Sequence, residues 1–337
     1  MITWPHEATD WVDCLQAVYP VFADIATSIA EREALLSVCC SKGHLDTIRA
    51  RLYERDARPE NLRFCIAPSN DTWARDYGPI GTLVDGKPRL NDFKFNGWGG
   101  KFAAGHDSCI SRRLAEQGAF GDTPMQQYDL VLEGGAIETD GRGTLLASRS
   151  STITGTRNPG CDQQALERLL EECLGVTRFL WLEQGGVTGD DTDGHIDILA
   201  RFADPSTIVY TTAPEDDADH VKLRAMENQL RHFRTARGEP YRLEPLPFAG
   251  VHLGSDGRRL PASYANFLVI NGAVLLPVYG VPQDREAESV LQKLFPGRRI
   301  LPIDCTPLIE QNGSLHCLTM HFPVQVPLHN GVEISAA

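Results

Sequence analysis

The sequence predicts an α/β chain built on a recurring strand–turn–strand unit, and three observations support this. Short apolar runs are interrupted by tight-turn residues at four places. Tyr77 to Val84 ends in Asp85-Gly86, and Ala136 to Thr139 ends in Asp140-Gly141 before resuming at Thr144 to Ser148. Ile196 to Ala203 ends in Asp204-Pro205 and resumes at Thr207 to Thr212, while Phe267 to Ile270 ends in Asn271-Gly272 and resumes at Ala273 to Tyr279. Apolar runs closed by such residues are hairpin signals.

The second observation is the helical pattern between these runs. Asp162 to Leu174 carries Leu166, Leu169, Leu170 and Leu174 at helical spacing, with Gly175 placed to end the helix. Ala218 to Phe233 and Asp284 to Phe295 read the same way, the latter stopped by Pro296-Gly297, and His44 to Tyr53 is a shorter candidate. Recurrence of one unit suggests a radial or stacked arrangement. An ordinary α+β domain with several hairpins fits the periodicity equally well.

The third observation is where the polar residues fall. Trp73-Ala74-Arg75-Asp76 precedes the first hairpin, Glu133-Gly134-Gly135 the second, and Asp193-Gly194-His195-Ile196-Asp197 opens the third. Gly313-Ser314-Leu315-His316-Cys317-Leu318-Thr319 opens a last apolar stretch. In a radial arrangement the equivalent ends meet at the axis, which would bring Asp76, Glu133, His195, Asp197 and Cys317 to one pocket.

Bulk properties narrow the partners. The 337 residues are 42% hydrophobic, enough for a sizeable core; their length fits one large domain or two ordinary ones, and no low-complexity segment or linker divides them. No apolar run is long enough to span a bilayer, and Met1 to His6 lacks the basic end and apolar stretch of a signal peptide. A cytoplasmic location is therefore expected. Nine scattered cysteines show no zinc or redox spacing, as in a reducing compartment, and Cys39 and Cys40 read as buried strand residues. A net charge of −13 repels nucleic acid and anionic membrane and attracts cations.

A thiolate attacks electron-poor carbon, and a neighbouring imidazolium lowers its pKa and passes a proton to a leaving group. Carboxylates beside them suit a guanidinium, whose planar N–H donors they bind in charge-assisted pairs. His195 and Asp197 lie two apart, hence on one face if extended, whereas His316 beside Cys317 is expected on the opposite face and is left out. Singly, Asp76 reads as a surface charge, Glu133 as part of a turn, His195 as structural and Cys317 as a small buried hydrophobe. Their coincidence at equivalent places favours function. The run Asp190 to Gly194 suggests a calcium loop but lacks the later acidic ligand, and the absence of a close His/His or Cys/Cys pair in these segments argues against a bound metal.

These segments resemble the agmatine deiminase and bacterial peptidylarginine deiminase family, as do Phe95-Asn96-Gly97-Trp98-Gly99-Gly100-Lys101, Arg157-Asn158-Pro159 and the stretch from Ser263 to Pro296. The resemblance implies a five-bladed pseudo-symmetric α/β propeller, the pentein fold, as a single catalytic domain over 1–337 with its active site on the central axis. It implies Cys317 as nucleophile, His195 as general acid and base, Asp76 and Asp197 as the guanidinium grip, and Glu133 as the residue that orients the histidine. Trp73 and Asp191 are further expected substrate contacts, with Asp190, Asp191 and Asp193 near a substrate amine. No cofactor or metal is implied. The expected reaction is hydrolysis of agmatine, with free or peptidyl arginine as the alternative substrate, in a homodimer or higher homo-oligomer. Gln311-Asn312-Gly313 departs from the family, where glycines are more usual. The competing readings are a metal-dependent hydrolase and a binding protein that has lost catalysis.

Overall fold

Each expected hairpin forms in the computed structural model, which describes residues 1–332. The chain divides into two compact units, one comprising Met1–Val131 with the segment from Cys317, the other Leu132–His316.

In the first unit β1 (Ile2–Thr3), β2 (Leu35–Cys39) and β3 (Leu62–Ile66) make a parallel sheet. All five residues of β2 are buried, as expected of a central parallel strand covered by helices. Helices Leu15–Ala30 and Lys42–Tyr53 connect these strands and pack on the sheet. The first of them is absent from the sequence expectation, because Pro20 lies inside its pattern and argues for a break. Cys39 is buried in β2 as expected, but Cys40 lies beyond the strand and is half-buried, its sulfur 3.2 Å from Nδ1 of His44. Met1 and Met320 exchange two hydrogen bonds, and Ile2 bridges Thr319, so the segment after Cys317 lies beside β1.

The second sheet of this unit pairs β4 (Ile80–Val84) antiparallel with β5 (Lys87–Lys94), and β5 parallel with β6 (Met125–Val131). Asp85 and Gly86 both have positive φ, 51° and 76°, which is the type I′ geometry that Asp-Gly favours.

The second unit repeats this plan three times. β7 (Ile137–Thr139) and β8 (Thr144–Ser148) form a hairpin with β9 (Arg178–Leu182) parallel beside it. β10 (Ala200–Asp204), β11 (Thr207–Thr211) and β12 (Arg242–Leu246) do the same. After a two-stranded ribbon, β13 (His252–Leu253) with β14 (Arg259–Leu260), the plan returns in β15 (Leu268–Ile270), β16 (Ala273–Val278) and β17 (Arg299–Asp304). The ribbon has no counterpart in the sequence expectation.

Parallel neighbours need a crossover, and the expected helices supply it at Gln163–Leu174, His220–Leu230 and Asp284–Leu294. Asp162 caps the first through the Ala165 amide at 2.8 Å, and Gly175 ends it in a left-handed conformation with φ 71°. No helix among the described residues is long and apolar enough to cross a membrane. A single helical turn precedes each hairpin, at Ala74–Tyr77, Gly134–Ala136, Ile196–Ile198 and Tyr264–Asn266. Those turns carry or adjoin the polar residues singled out by the sequence.

Candidate active site

Glu133 stands at the start of the turn Gly134–Ala136, and its carboxylate is fully buried in the second unit. A buried carboxylate survives only if donors replace water. Arg157 supplies them, its Nε lying 2.9 Å from Oε1 and 3.0 Å from Oε2 of Glu133. Its other nitrogens donate to Asp193 Oδ2 at 2.8 Å and to the Thr192 carbonyl at 2.9 Å. Burial works against the charge on Arg157, but Glu133 and Asp193 outweigh it and lift its pKa above the usual arginine value.

His195, 1% exposed, places Nε2 2.8 Å from Glu133 Oε2. A carboxylate held against a guanidinium acts as acceptor, so Nε2 of His195 carries a proton. Sequence reasoning named Glu133 and His195, and the structure brings them into contact. It left Arg157 without a role, because nothing in the spacing of residues 133 and 157 ties them together.

Asp197 is also fully buried. The expectation that His195 and Asp197 share the face of a strand is corrected, since Ile196–Ile198 is a turn of 3-10 helix and β10 starts only at Ala200. The exclusion of His316 is corrected for the same reason. Residues 315–318 are turn rather than strand, and His316 Nδ1 lies 2.8 Å from Asp197 Oδ2. Alternation cannot be used where no strand forms.

The acids of the loop between residues 189 and 194 are engaged by other groups of the protein. Asp190 accepts from the amides of Thr192 at 3.0 Å and Gly194 at 2.6 Å. Asp193, with φ 70°, meets Arg157, while Asp191 Oδ2 accepts from Asn312 Nδ2 at 2.8 Å. Asn312 itself has φ 65°, a left-handed position that asparagine tolerates better than most residues. The departure from glycine thus keeps the backbone form and adds a side-chain contact.

In the first unit Asp76 lies in the turn Ala74–Tyr77, and Trp98 Nε1 donates to its Oδ2 at 3.0 Å. Trp98 reaches it from a left-handed segment in which Trp98, Gly99 and Gly100 have φ of 54°, 84° and 87°. Gly97 is needed there, since a Cβ would stand 2.2 Å from the Phe102 carbonyl oxygen. Trp98 is a contact that sequence reasoning missed.

Trp73 is buried against Trp11, ring centroids 5.5 Å apart, and its Nε1 donates to Asp71 Oδ2 at 3.1 Å. Asp71 also accepts from Trp11, and its amide donates to Asp107 at 3.1 Å. Burial pushes the carboxyl groups of Asp71 and Asp107 up to about 7 each.

Cys317, 7% exposed, is tied to the same turn, the Arg75 amide donating to its carbonyl at 3.1 Å. Three other thiols are unsuited to ionise. Burial pushes Cys65 up to about 11 and Cys305 up to about 12, and raises Cys39 well above the ordinary thiol value. A cleft of about 660 Å³ lined by residues including Tyr210, His220, Glu227 and Tyr241 contains none of the predicted site residues.

A profile of the family described as Porphyromonas-type peptidyl-arginine deiminase matches residues 1–323. The agmatine deiminase of Pseudomonas aeruginosa (strain LESB58) is 31% identical, over 96% of this chain and 92% of its own. Among solved structures, the agmatine deiminase of C. jejuni with substrate bound is 31% identical with a TM-score of 0.86, covering 94% of this chain and 91% of its own. A Porphyromonas gingivalis structure, described provisionally as an arginine deiminase, is 47% identical with a TM-score of 0.89, covering 96% and 95%.

Two outcomes follow from the buried charges. Arg157→Met leaves Glu133 buried without its cation, so stability falls by about 3–5 kcal/mol and turnover by about a hundredfold. Denaturant titration and steady-state kinetics check this, and kcat within twofold of wild type contradicts it. For Asp71, a folded pKa raised above the unfolded value of 3.8 means that the folded chain binds the proton more tightly. Its contribution is fully present below the ordinary carboxylate range and is lost as pH rises towards and through about 7. Asp71→Asn should therefore flatten the fall in melting temperature across that window, and an unchanged slope contradicts the assignment.

Proposed function

The chain belongs to the Porphyromonas-type peptidyl-arginine deiminase family, and from that premise we propose that it hydrolyses agmatine to N-carbamoylputrescine and ammonia. The observation that carries this reading is the buried Glu133–His195 contact backed by Arg157, in a chain similar along 96% of its length to an agmatine deiminase.

Asp76 and Asp197 grip the substrate guanidinium, which removes its freedom to rotate and sets its carbon before the nucleophile. The Cys317 thiolate adds to that carbon and gives a tetrahedral adduct. His195 donates a proton to one nitrogen, the C–N bond breaks, and ammonia leaves a thiouronium on Cys317. His195 then takes a proton from water, whose oxygen adds to the same carbon. Collapse breaks the C–S bond, releasing the ureido product and the thiolate. Because Glu133 holds Nε2, the proton exchanged with substrate and water is at Nδ1 of His195. Glu133 stabilises the imidazolium, and Arg157 holds Glu133 in place. No step calls for a cofactor. Trp73 and Asp191 belong to the substrate's surroundings in this reading, Trp73 shaping the wall beside Asp76.

The whole chain acts as a single catalytic domain in this account. The five three-stranded sheets among the described residues are the blades of a pentein propeller, supported by the plan that four of them share. The unreactive buried thiols suit a reducing, cytoplasmic setting, and a homodimer or larger homo-oligomer is the proposed assembly. A second reading, deimination of free or peptidyl arginine, is favoured by the description of the P. gingivalis structure. The carboxylates proposed for the pocket, Asp76, Glu133 and Asp197, argue for agmatine, which lacks a carboxylate.

Ammonia release from agmatine, free arginine and an arginine-containing peptide separates these. The expected outcome is release from agmatine alone, reduced about a thousandfold or more by Cys317→Ser. Release from arginine or the peptide in preference to agmatine transfers the assignment to the second reading, and release that survives Cys317→Ser rejects the nucleophile.

A further inference from the structure

His316, the residue that strand alternation excluded, stands between two opposite charges. Its side chain is 4% exposed. Nδ1 lies 2.8 Å from Asp197 Oδ2, and Nε2 lies 3.1 Å from Arg201 Nη2. A guanidinium has donors and no acceptor. The Arg201 N–H therefore meets a lone pair on Nε2, and the proton of the neutral ring stays on Nδ1, facing Asp197. Protonating Nε2 would set one N–H against another and lose the bond to Arg201.

Arg201 has little freedom to move away. Its Nε donates to Glu138 Oε2 at 2.7 Å, and Nη1 donates to the carbonyls of Ala265 and Phe267 at 3.1 Å each. Its guanidinium carbon lies 4.9 Å from the centre of the Phe267 ring, a cation–π contact. Glu138 Oε1 in turn accepts from the Phe202 amide at 3.2 Å. The His316 amide donates to both the carbonyl and the side-chain oxygen of Asn266, at 3.1 and 2.9 Å. Ring and backbone are thus both held.

We propose that His316 is a positioning residue, a neutral imidazole in the Nδ1–H form that fixes the plane of the Asp197 carboxylate for guanidinium binding. The proposal rests on the reading of Asp197 as part of the substrate grip and deepens it. Neutrality matters here. A lysine or arginine in contact with Asp197 would compete with a cationic substrate for the same carboxylate. An imidazole orients it while leaving its negative charge for the substrate, and the Arg201 cation offsets the burial of that charge from one residue further away.

The test measures binding without turnover, in a Cys317→Ser background, by calorimetry with agmatine and with the neutral ureido product. His316→Asn puts an amide N–H near the position of Nδ1, whereas His316→Leu removes the donor. The expected result is agmatine affinity within about threefold of the parent for His316→Asn and weakened about tenfold or more for His316→Leu. Product affinity should change less. Equal affinity of the parent and a folded His316→Leu protein overturns the proposal. Asp197→Asn in the same background separates the two layers: if it binds agmatine like the parent, the grip reading itself fails. Should His316→Leu not fold, imidazole ¹⁵N shifts of the wild-type protein decide. A neutral Nδ1–H ring at neutral pH supports the proposal, and an imidazolium or Nε2–H ring overturns it.

Discussion

The arrangement of the second unit turns on one constraint, that the carboxylate of Glu133 is fully buried and must keep its charge. A buried carboxylate left without donors is costly. Arg157 prevents this by donating to both oxygens, and its remaining nitrogens are absorbed by Asp193 and the Thr192 carbonyl. With Glu133 ionised, His195 is fixed in orientation and in the placement of its Nε2 proton. The loop that delivers His195 is shaped by the same demand, since Asp193 takes a left-handed conformation while its side chain reaches Arg157. A site for proton transfer thus depends on an ion pair that touches no substrate in the proposed reaction.

Asp197 is treated differently. Its Oδ2 meets the His316 imidazole, and the Arg201 guanidinium stands behind that ring. The contrast fits the two tasks. A carboxylate that stabilises an imidazolium works beside a permanent positive charge, whereas one that receives a cation is better left with its charge available. In the first unit, Asp76 meets the neutral indole N–H of Trp98, which follows the second pattern.

Much of this was legible in the residues. The hairpins at 137–148 and 268–278 match their apolar runs because Asp-Gly and Asn-Gly punctuate them, and Leu166, Leu170 and Gly175 mark a helix by local spacing. Glu133, His195, Asp197 and Asp76 stand out in the sequence because each adjoins a hairpin, and Cys317 because its segment opens a last apolar stretch. What escaped was whatever depended on contact between distant segments or on the form of irregular backbone. Arg157 reaches back 24 positions to Glu133 from a loop. His316 was assigned to the wrong face because residues 315–318 turn instead of extending. Trp98 sits in a run of four successive positive-φ residues, Gly97 to Gly100, where it reaches Asp76, and no periodic rule anticipates them. The helix at Leu15–Ala30 also escaped; Pro20, past its first turn, removes one intrahelical hydrogen bond, and burial of one face outweighs that loss.

The central claim is covalent chemistry at one cysteine among nine. Rapid acid quenching of the wild-type protein during turnover of agmatine, followed by peptide mass spectrometry, tests it most directly. The account predicts a thiouronium adduct on the peptide carrying Cys317 and on no other cysteine. Sustained turnover with Cys317 unmodified throughout, or an adduct on a different cysteine, would contradict it.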